Sequence, residues 1–113
     1  MVWRSSFAAG KELVLVTCSH NQPHAIVVIS LGWVDNRLLV ADCQMKTTIK
    51  NLSENPEIAV IGGYLRIKGK VELSSSGKYF DLAASKSKGY KVKHALLITP
   101  SEVFDLDKRK ILL

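Results

Sequence analysis

Between Tyr64 and Leu73 the side chains alternate without a break. Leu65, Ile67, Gly69, Val71 and Leu73 fall on one face, and Arg66, Lys68, Lys70 and Glu72 fall on the other. A period of two belongs to an extended strand with one face on a core and the other in water. Such a strand needs neighbours for its backbone donors and acceptors, so the rest of the chain must build a sheet around it. Leu13–Ser19 (LVLVTCS) and Ala25–Ser30 (AIVVIS) are rich in β-branched residues and flank HNQPH, which predicts a hairpin turning at Asn21 to Pro23. Neither run alternates cleanly, which predicts that both of their faces are covered. Gly32 to Asn36 reads as the next turn, Arg37–Ala41 as a third strand and Glu57–Ile61 as the strand preceding the alternating one.

Two short helices interrupt this series. In DCQMKTTIKNLSENP, Asp42 to Pro56, residues Met45, Ile49 and Leu52 share one face of a 3.6-residue period, while Lys46, Thr47, Asn51 and Glu54 look elsewhere. Lys78 to Lys88 is the second helix, with Tyr79/Ala83 and Phe80/Ala84 as neighbours along its axis and Gly89 placed to end it. Tyr90–Ile98 then reads as a strand closed off by Thr99-Pro100, with Glu102–Leu106 adding a short further one. The expected fold is mainly β, about six or seven strands with two short helices, and mostly antiparallel. The order of elements does not repeat as βαβ, which excludes a doubly wound parallel sheet. A small barrel fits better, since closure removes edges that such apolar strands could not safely expose.

Residues 1–113 are enough for a single domain and leave no room for a second core. The hydrophobic share of 47% excludes a disordered chain. Apolar runs such as Ala25–Ile29 are far too short to span a membrane, and no long apolar segment follows Arg4, which argues against export. Cys18 and Cys43 have no CxxC partner, and His20, His24 and His94 make no metal-ligand spacing with them, so no metal is expected. An unstapled domain of this kind suits a reducing, cytoplasmic compartment. The net charge of +6 favours anionic ligands without choosing among them. The helix that opens with Lys46, Thr47 and Thr48 reads either as an ordinary amphipathic connector with a polar outer face or as a place for one. Amide N–H groups of a first turn lack partners, and a lysine with hydroxyls can join them around a phosphate.

The order of these motifs resembles the pyridoxamine 5′-phosphate oxidase-like family of FMN-binding split β-barrels. The resemblance is carried by LVLVTCSHNQPHAIVVI, then LLVAD, then KTTIKNLSENPEIAV, then RIKGKVE, over roughly residues 12 to 73. It implies a split barrel and a homodimer with two FMN sites at the subunit interface. It further implies that Ile26, Val27, Val28 and Ile29 run beside the flavin, that Ala41 and Asp42 line the cofactor, and that Lys46, Thr47 and Thr48 hold the phosphate. The family's oxidases carry an arginine near the position of His24, a lysine near Ile29-Ser30 and a glutamine near Arg66. These departures, and the absence of the family's C-terminal tryptophan and arginine, argue against oxidation of pyridoxamine phosphate itself. The implied function is an FMN-binding protein acting as a flavin-dependent oxidoreductase with a small-molecule redox partner, its substrate and catalytic residues unassigned. Two alternatives stay open. One is a non-catalytic flavin carrier. The other is a small basic barrel binding nucleic acid through Arg66–Lys70 with Lys86, Lys88, Lys91 and Lys93, although its strands lack interleaved aromatics for stacking on bases.

Overall fold

The computed structural model describes residues 2–113. After a 3-10 helix at Val2–Phe7 the strands are β1 (Glu12–Ser19), β2 (Gln22–Ile29), β3 (Trp33–Val34) and β4 (Arg37–Asp42). Helix α1 (Thr47–Glu54) leads to β5 (Glu57–Gly62) and β6 (Leu65–Ser74), and helix α2 (Lys78–Lys86) leads to β7 (His94–Asp105) and β8 (Lys110–Ile111). All eight strands join one antiparallel sheet in the order β2-β1-β5-β6-β7-β4-β3, with β8 added to the far end of β7. Strands β2 and β4 approach each other without forming a ladder, so the barrel is split between them.

Every strand of the barrel wall sends alternate residues inward. Leu13 and Leu15, Val28, Leu38 and Val40, Ile58 and Val60, Ile67 and Val71, and Leu96, Ile98 and Val103 form one core. Trp3 and Phe7 from the 3-10 helix and Leu52 from α1 join it. The alternation of β6 is realised, with Ile67, Gly69 and Val71 buried and Lys68, Lys70 and Glu72 exposed. A second, smaller core lies outside the barrel, where Ala83, Tyr79, Phe80 and Leu82 of α2 cover Leu39 of β4 and Ala95 and Leu97 of β7.

Several expectations are corrected. The first hairpin turns at His20-Asn21, both with positive φ (52° and 62°), and Ser19 pairs with Gln22. Two such residues make the tight turn that matches strand twist. Pro23 therefore lies inside β2, which tolerates it because β2 is an edge strand needing hydrogen bonds on one side only. The Gly32–Asn36 turn contains β3, and Asp35-Asn36 make the same left-handed pair there (φ 51° and 63°). Thr99-Pro100 does not end a strand. β7 runs through it with a bulge opposite Lys68/Gly69, and residues 90–93 lie outside the sheet. Gly69 permits this crossing, because a Cβ there would collide with the Thr99 carbonyl and Pro100. Asn51 does not face solvent; its Nδ2 donates to Thr17 Oγ1 of β1 at 3.0 Å. Finally, the two faces of β2 are not both covered. Val28 is buried, but Val27 and Ile29 on the opposite face are 67% and 47% exposed.

Candidate functional site

The split in the barrel is a cleft of about 710 Å³. One wall is β2, from His24 to Ile29, and the opposite wall is Ala41 with Cys43 and Gln44 just beyond β4. Because β2 is an edge strand, its side away from β1 has no ladder partner, so backbone donors and acceptors are free along the split. Strand β4 reaches the cleft because its pairing with β7, Leu38↔Ile98 through Asp42↔His94, holds it on the far side of the gap.

One end of the cleft is built by the link from β4 into α1. Met45, Lys46, Thr47 and Thr48 line it. The helix starts at Thr47, two residues later than the apolar periodicity suggests, and Lys46 is its N-cap with no side-chain cap bond. The first-turn amides therefore have neither an intrahelical partner nor a capping oxygen. Met45, Ile49 and Leu52 face the core as their spacing predicts, which turns this end of α1 toward the split. Polar contacts fasten the other end. Asn55 Nδ2 donates to the Cys18 carbonyl at 3.1 Å, and Glu54 accepts from Ser19 Oγ at 2.8 Å. The Ser19 bond first, and then His20 beside it, hold the Glu54 carboxyl below its usual range.

Of the residues singled out in the sequence, Ile26, Val27, Val28, Ile29, Ala41, Lys46, Thr47 and Thr48 line this one cleft. Asp42 does not. It follows Leu38 and Val40 on the inward face of β4, and its carboxylate is buried against the Met45 amide and His94. Lys86, Ser87, Lys88 and Tyr90 also line the cleft, brought there by the link between α2 and β7. The only sequence signal among them is the positive charge of Lys86 and Lys88, since nothing local shows that this link crosses toward β2. Cys43 is half-buried in the wall; burial first, and then the neighbouring Asp42 charge, push its thiol up and keep it neutral. His24 is half-buried in the same cleft, whereas His20 is exposed and paired with Glu54 at 3.1 Å.

The arrangement suits a flat, largely apolar ligand carrying an anionic group. β2 offers an apolar strip with free peptide groups, and Lys46, two threonines and a helix start offer converging donors. A larger open groove of about 860 Å³ lies against the outer face of β6. Its charges are mixed in sign, with Arg37, Lys68 and Lys70 beside Glu57 and Glu72 in its lining, and it contains no helix start. The basic face of β6 is also partly neutralised, because Arg66 lies 3.6 Å from Glu102 and over the Phe104 ring. Among the described residues no cluster of three histidine, cysteine or acidic side chains is placed to hold a metal ion. No described helix is long and apolar enough to cross a membrane.

Comparison with known proteins bears on the same architecture. The family model described as pyridoxamine 5′-phosphate oxidase matches residues 5–107. None of the curated proteins matches the chain. Among solved structures, HupZ of Group A Streptococcus superposes with a TM-score of 0.83 at 17% identity, covering 100% of this chain and 98% of that one. General Stress Protein 26 from Bacillus anthracis str. Sterne gives 0.69 at 17% identity, covering 99% and 98%. An FMN-binding protein from Syntrophomonas wolfei subsp. wolfei gives 0.71 at 15% identity, covering 88% of this chain and 78% of that one. At these identities the likeness to solved structures is a likeness of fold.

Proposed function

The chain belongs to the pyridoxamine 5′-phosphate oxidase-like family of split β-barrels, and on that premise we propose that it binds FMN in the cleft between β2 and β4. The observation that carries this reading is the uncapped start of α1, where Lys46, Thr47 and Thr48 meet an apolar strip along a free strand edge. The residues fit the group. Lys46 and the threonine hydroxyls with the first-turn amides hold the phosphate, and Ile26 to Ile29 with Ala41 flank the ring. A relative of the same fold is itself an FMN-binding protein.

Bound FMN supplies redox chemistry to the site, and the chain supplies position and exclusion of water. The Cys43 thiol in the cleft wall stays protonated near neutral pH. We therefore read the protein as a flavin-dependent oxidoreductase whose small-molecule partner enters from the open side of the cleft. Val27 and Ile29 line the cleft yet stay largely exposed, and a second copy of the chain covers them. The working unit is then a homodimer in a reducing, cytoplasmic setting, consistent with Cys18 and Cys43 both being free thiols.

Purified protein is expected to carry, or to take up from added FMN, the visible absorption band of a flavin. Anaerobic mixing with reduced nicotinamide nucleotides is expected to bleach that band faster than it bleaches free FMN. Protein that takes up no FMN would overturn the binding reading. Salt-sensitive retention of RNA by such protein would favour the basic-barrel alternative. Bound flavin that no nicotinamide nucleotide bleaches faster would leave a carrier in place of an oxidoreductase.

A further inference from the structure

Asp42 and His94 face each other at the last rung of the β4–β7 ladder. The Asp42 side chain is 1% exposed and both its oxygens are engaged. Oδ1 accepts the Met45 amide N–H at 2.7 Å, and Oδ2 accepts the ring N–H of His94 Nδ1 at 2.7 Å. A carboxylate only accepts, so His94 presents its proton at Nδ1, and that bond sets the orientation of the ring. The backbone is clamped at the same point, because Lys93 N–H donates to the Asp42 carbonyl at 2.7 Å.

The bond to Met45 matters because Met45 sits immediately before Lys46, the N-cap of α1. Residues 43–45 turn the chain out of β4 and deliver Lys46 as the N-cap of that helix. Lys46 makes no side-chain cap bond, so α1 does not fix its own start. The fixed point nearest the turn is the Asp42 carboxylate, whose own orientation is set by His94. A buried carboxylate with a single partner would rotate or draw in water, and the turn would move with it.

We propose that Asp42 and His94 are a positioning pair for the anion-binding turn, touching no ligand themselves and holding Met45 to Thr48 in the geometry that grips a phosphate. This inference rests on the reading of the cleft as an FMN site. It assigns a task to a buried carboxylate and its half-buried histidine partner, which the ring-binding walls do not use. It also gives Asp42 a different task from lining the cofactor.

The test titrates FMN and riboflavin, which lacks the phosphate, into wild type, Lys46→Ala, Asp42→Ala, Asp42→Asn and His94→Ala. Thermal midpoints are measured alongside. Asp42→Ala is expected to weaken FMN about tenfold, on the scale of one charge-assisted hydrogen bond, and to leave riboflavin nearly unchanged. Asp42→Asn keeps an acceptor for Met45 and is expected to recover most of the loss. His94→Ala is expected to fall between them, and it carries the test if Asp42→Ala does not fold. Exchange of the Met45 amide is expected to accelerate in Asp42→Ala while β6 amides do not change. Equal weakening of both flavins by Asp42→Ala or His94→Ala, beside a selective Lys46→Ala, would overturn the positioning role alone. An unselective Lys46→Ala would overturn the phosphate site and the positioning role together.

Discussion

Strands β2 and β6 both send alternate residues into the barrel core and meet opposite fates on their outer faces. β6 is paired along both edges, by β5 and by β7, and its outward residues are Lys68, Lys70 and Glu72. Its needs are met within one chain. β2 is paired on one edge only, and its outward residues are Ala25, Val27 and Ile29, all exposed. Its inward neighbour Val28 is as buried as the core of β6. The difference is one of exposure: one strand finishes the barrel, and the other leaves a free backbone edge and an exposed apolar face.

The comparison breaks most visibly if β2 is made to resemble β6. Val27→Lys with Ile29→Lys is expected to cost the dimer about 4 kcal/mol, the sum expected for two central apolar contacts, and light scattering would then return a particle of 12.5 kDa. Lys68→Glu on β6 is expected to leave the mass unchanged. Wild type already running at 12.5 kDa would show that β2 needs no second copy.

The reverse experiment burdens β6. Gly69→Ala places a methyl group against the backbone of Thr99 and Pro100, which can retreat only by opening the bulge. The expected cost is about 3 kcal/mol in denaturant unfolding. Ala25→Ser, on the open face of β2, is expected to change stability by less than about 0.5 kcal/mol. Comparable losses at the two sites would erase the contrast.

These two strands also show what a sequence can reveal. The period-two pattern of β6 was legible because one face meets water, and the apolar face of α1 was legible from Met45, Ile49 and Leu52. The exposure of β2 was not legible, since a strand covered by its own chain and one waiting for another look alike in composition. Proline misled twice, at Pro23 and Pro100, because an edge strand and a bulge accept it as readily as a turn does. Within the candidate site, Lys46 to Thr48 stood out because they are contiguous. Asp42 is buried on the inward face of β4, as its period-two relation to Leu38 and Val40 indicates, and is not among the residues lining the cleft. Lys86, Lys88 and Tyr90 reach the cleft through tertiary packing of α2, which no local pattern encodes.

A smaller effect sharpens the comparison at the cleft. Thr47→Val removes one neutral donor from the end of the β2 cleft while neighbouring amides remain, and is expected to weaken FMN by about 1 kcal/mol. Ser101→Ala, beside β6, is expected to leave FMN binding unchanged. A Thr47→Val variant with native affinity would remove that hydroxyl from the grip.

The smallest expected effect concerns how α2 covers β4, in contrast to the exposed Val27 and Ile29 of β2. Tyr79 O–H donates to Asp35 Oδ2 at 2.7 Å, and Lys78 lies 3.3 Å from the same oxygen. The Tyr79 bond first, and then Lys78, hold the Asp35 carboxyl below its ordinary 3.8. A depressed carboxyl stabilises the fold fully above its unfolded value and loses that contribution as pH falls through its lower folded value. Acid unfolding of Tyr79→Phe is expected to begin at slightly higher pH than that of wild type. Superimposable acid transitions would show that this contact adds nothing to the seating of α2.

The central claim is that the free edge of β2 and the uncapped start of α1 form one site for a phosphorylated flavin. Titration of apo-protein with FMN and with riboflavin, wild type beside Lys46→Ala, measures it directly. Wild type is expected to prefer FMN, and Lys46→Ala to weaken FMN by about 1.5–3 kcal/mol while leaving riboflavin nearly unchanged. Equal affinity of wild type for the two flavins, or equal weakening of both by Lys46→Ala, would contradict the account.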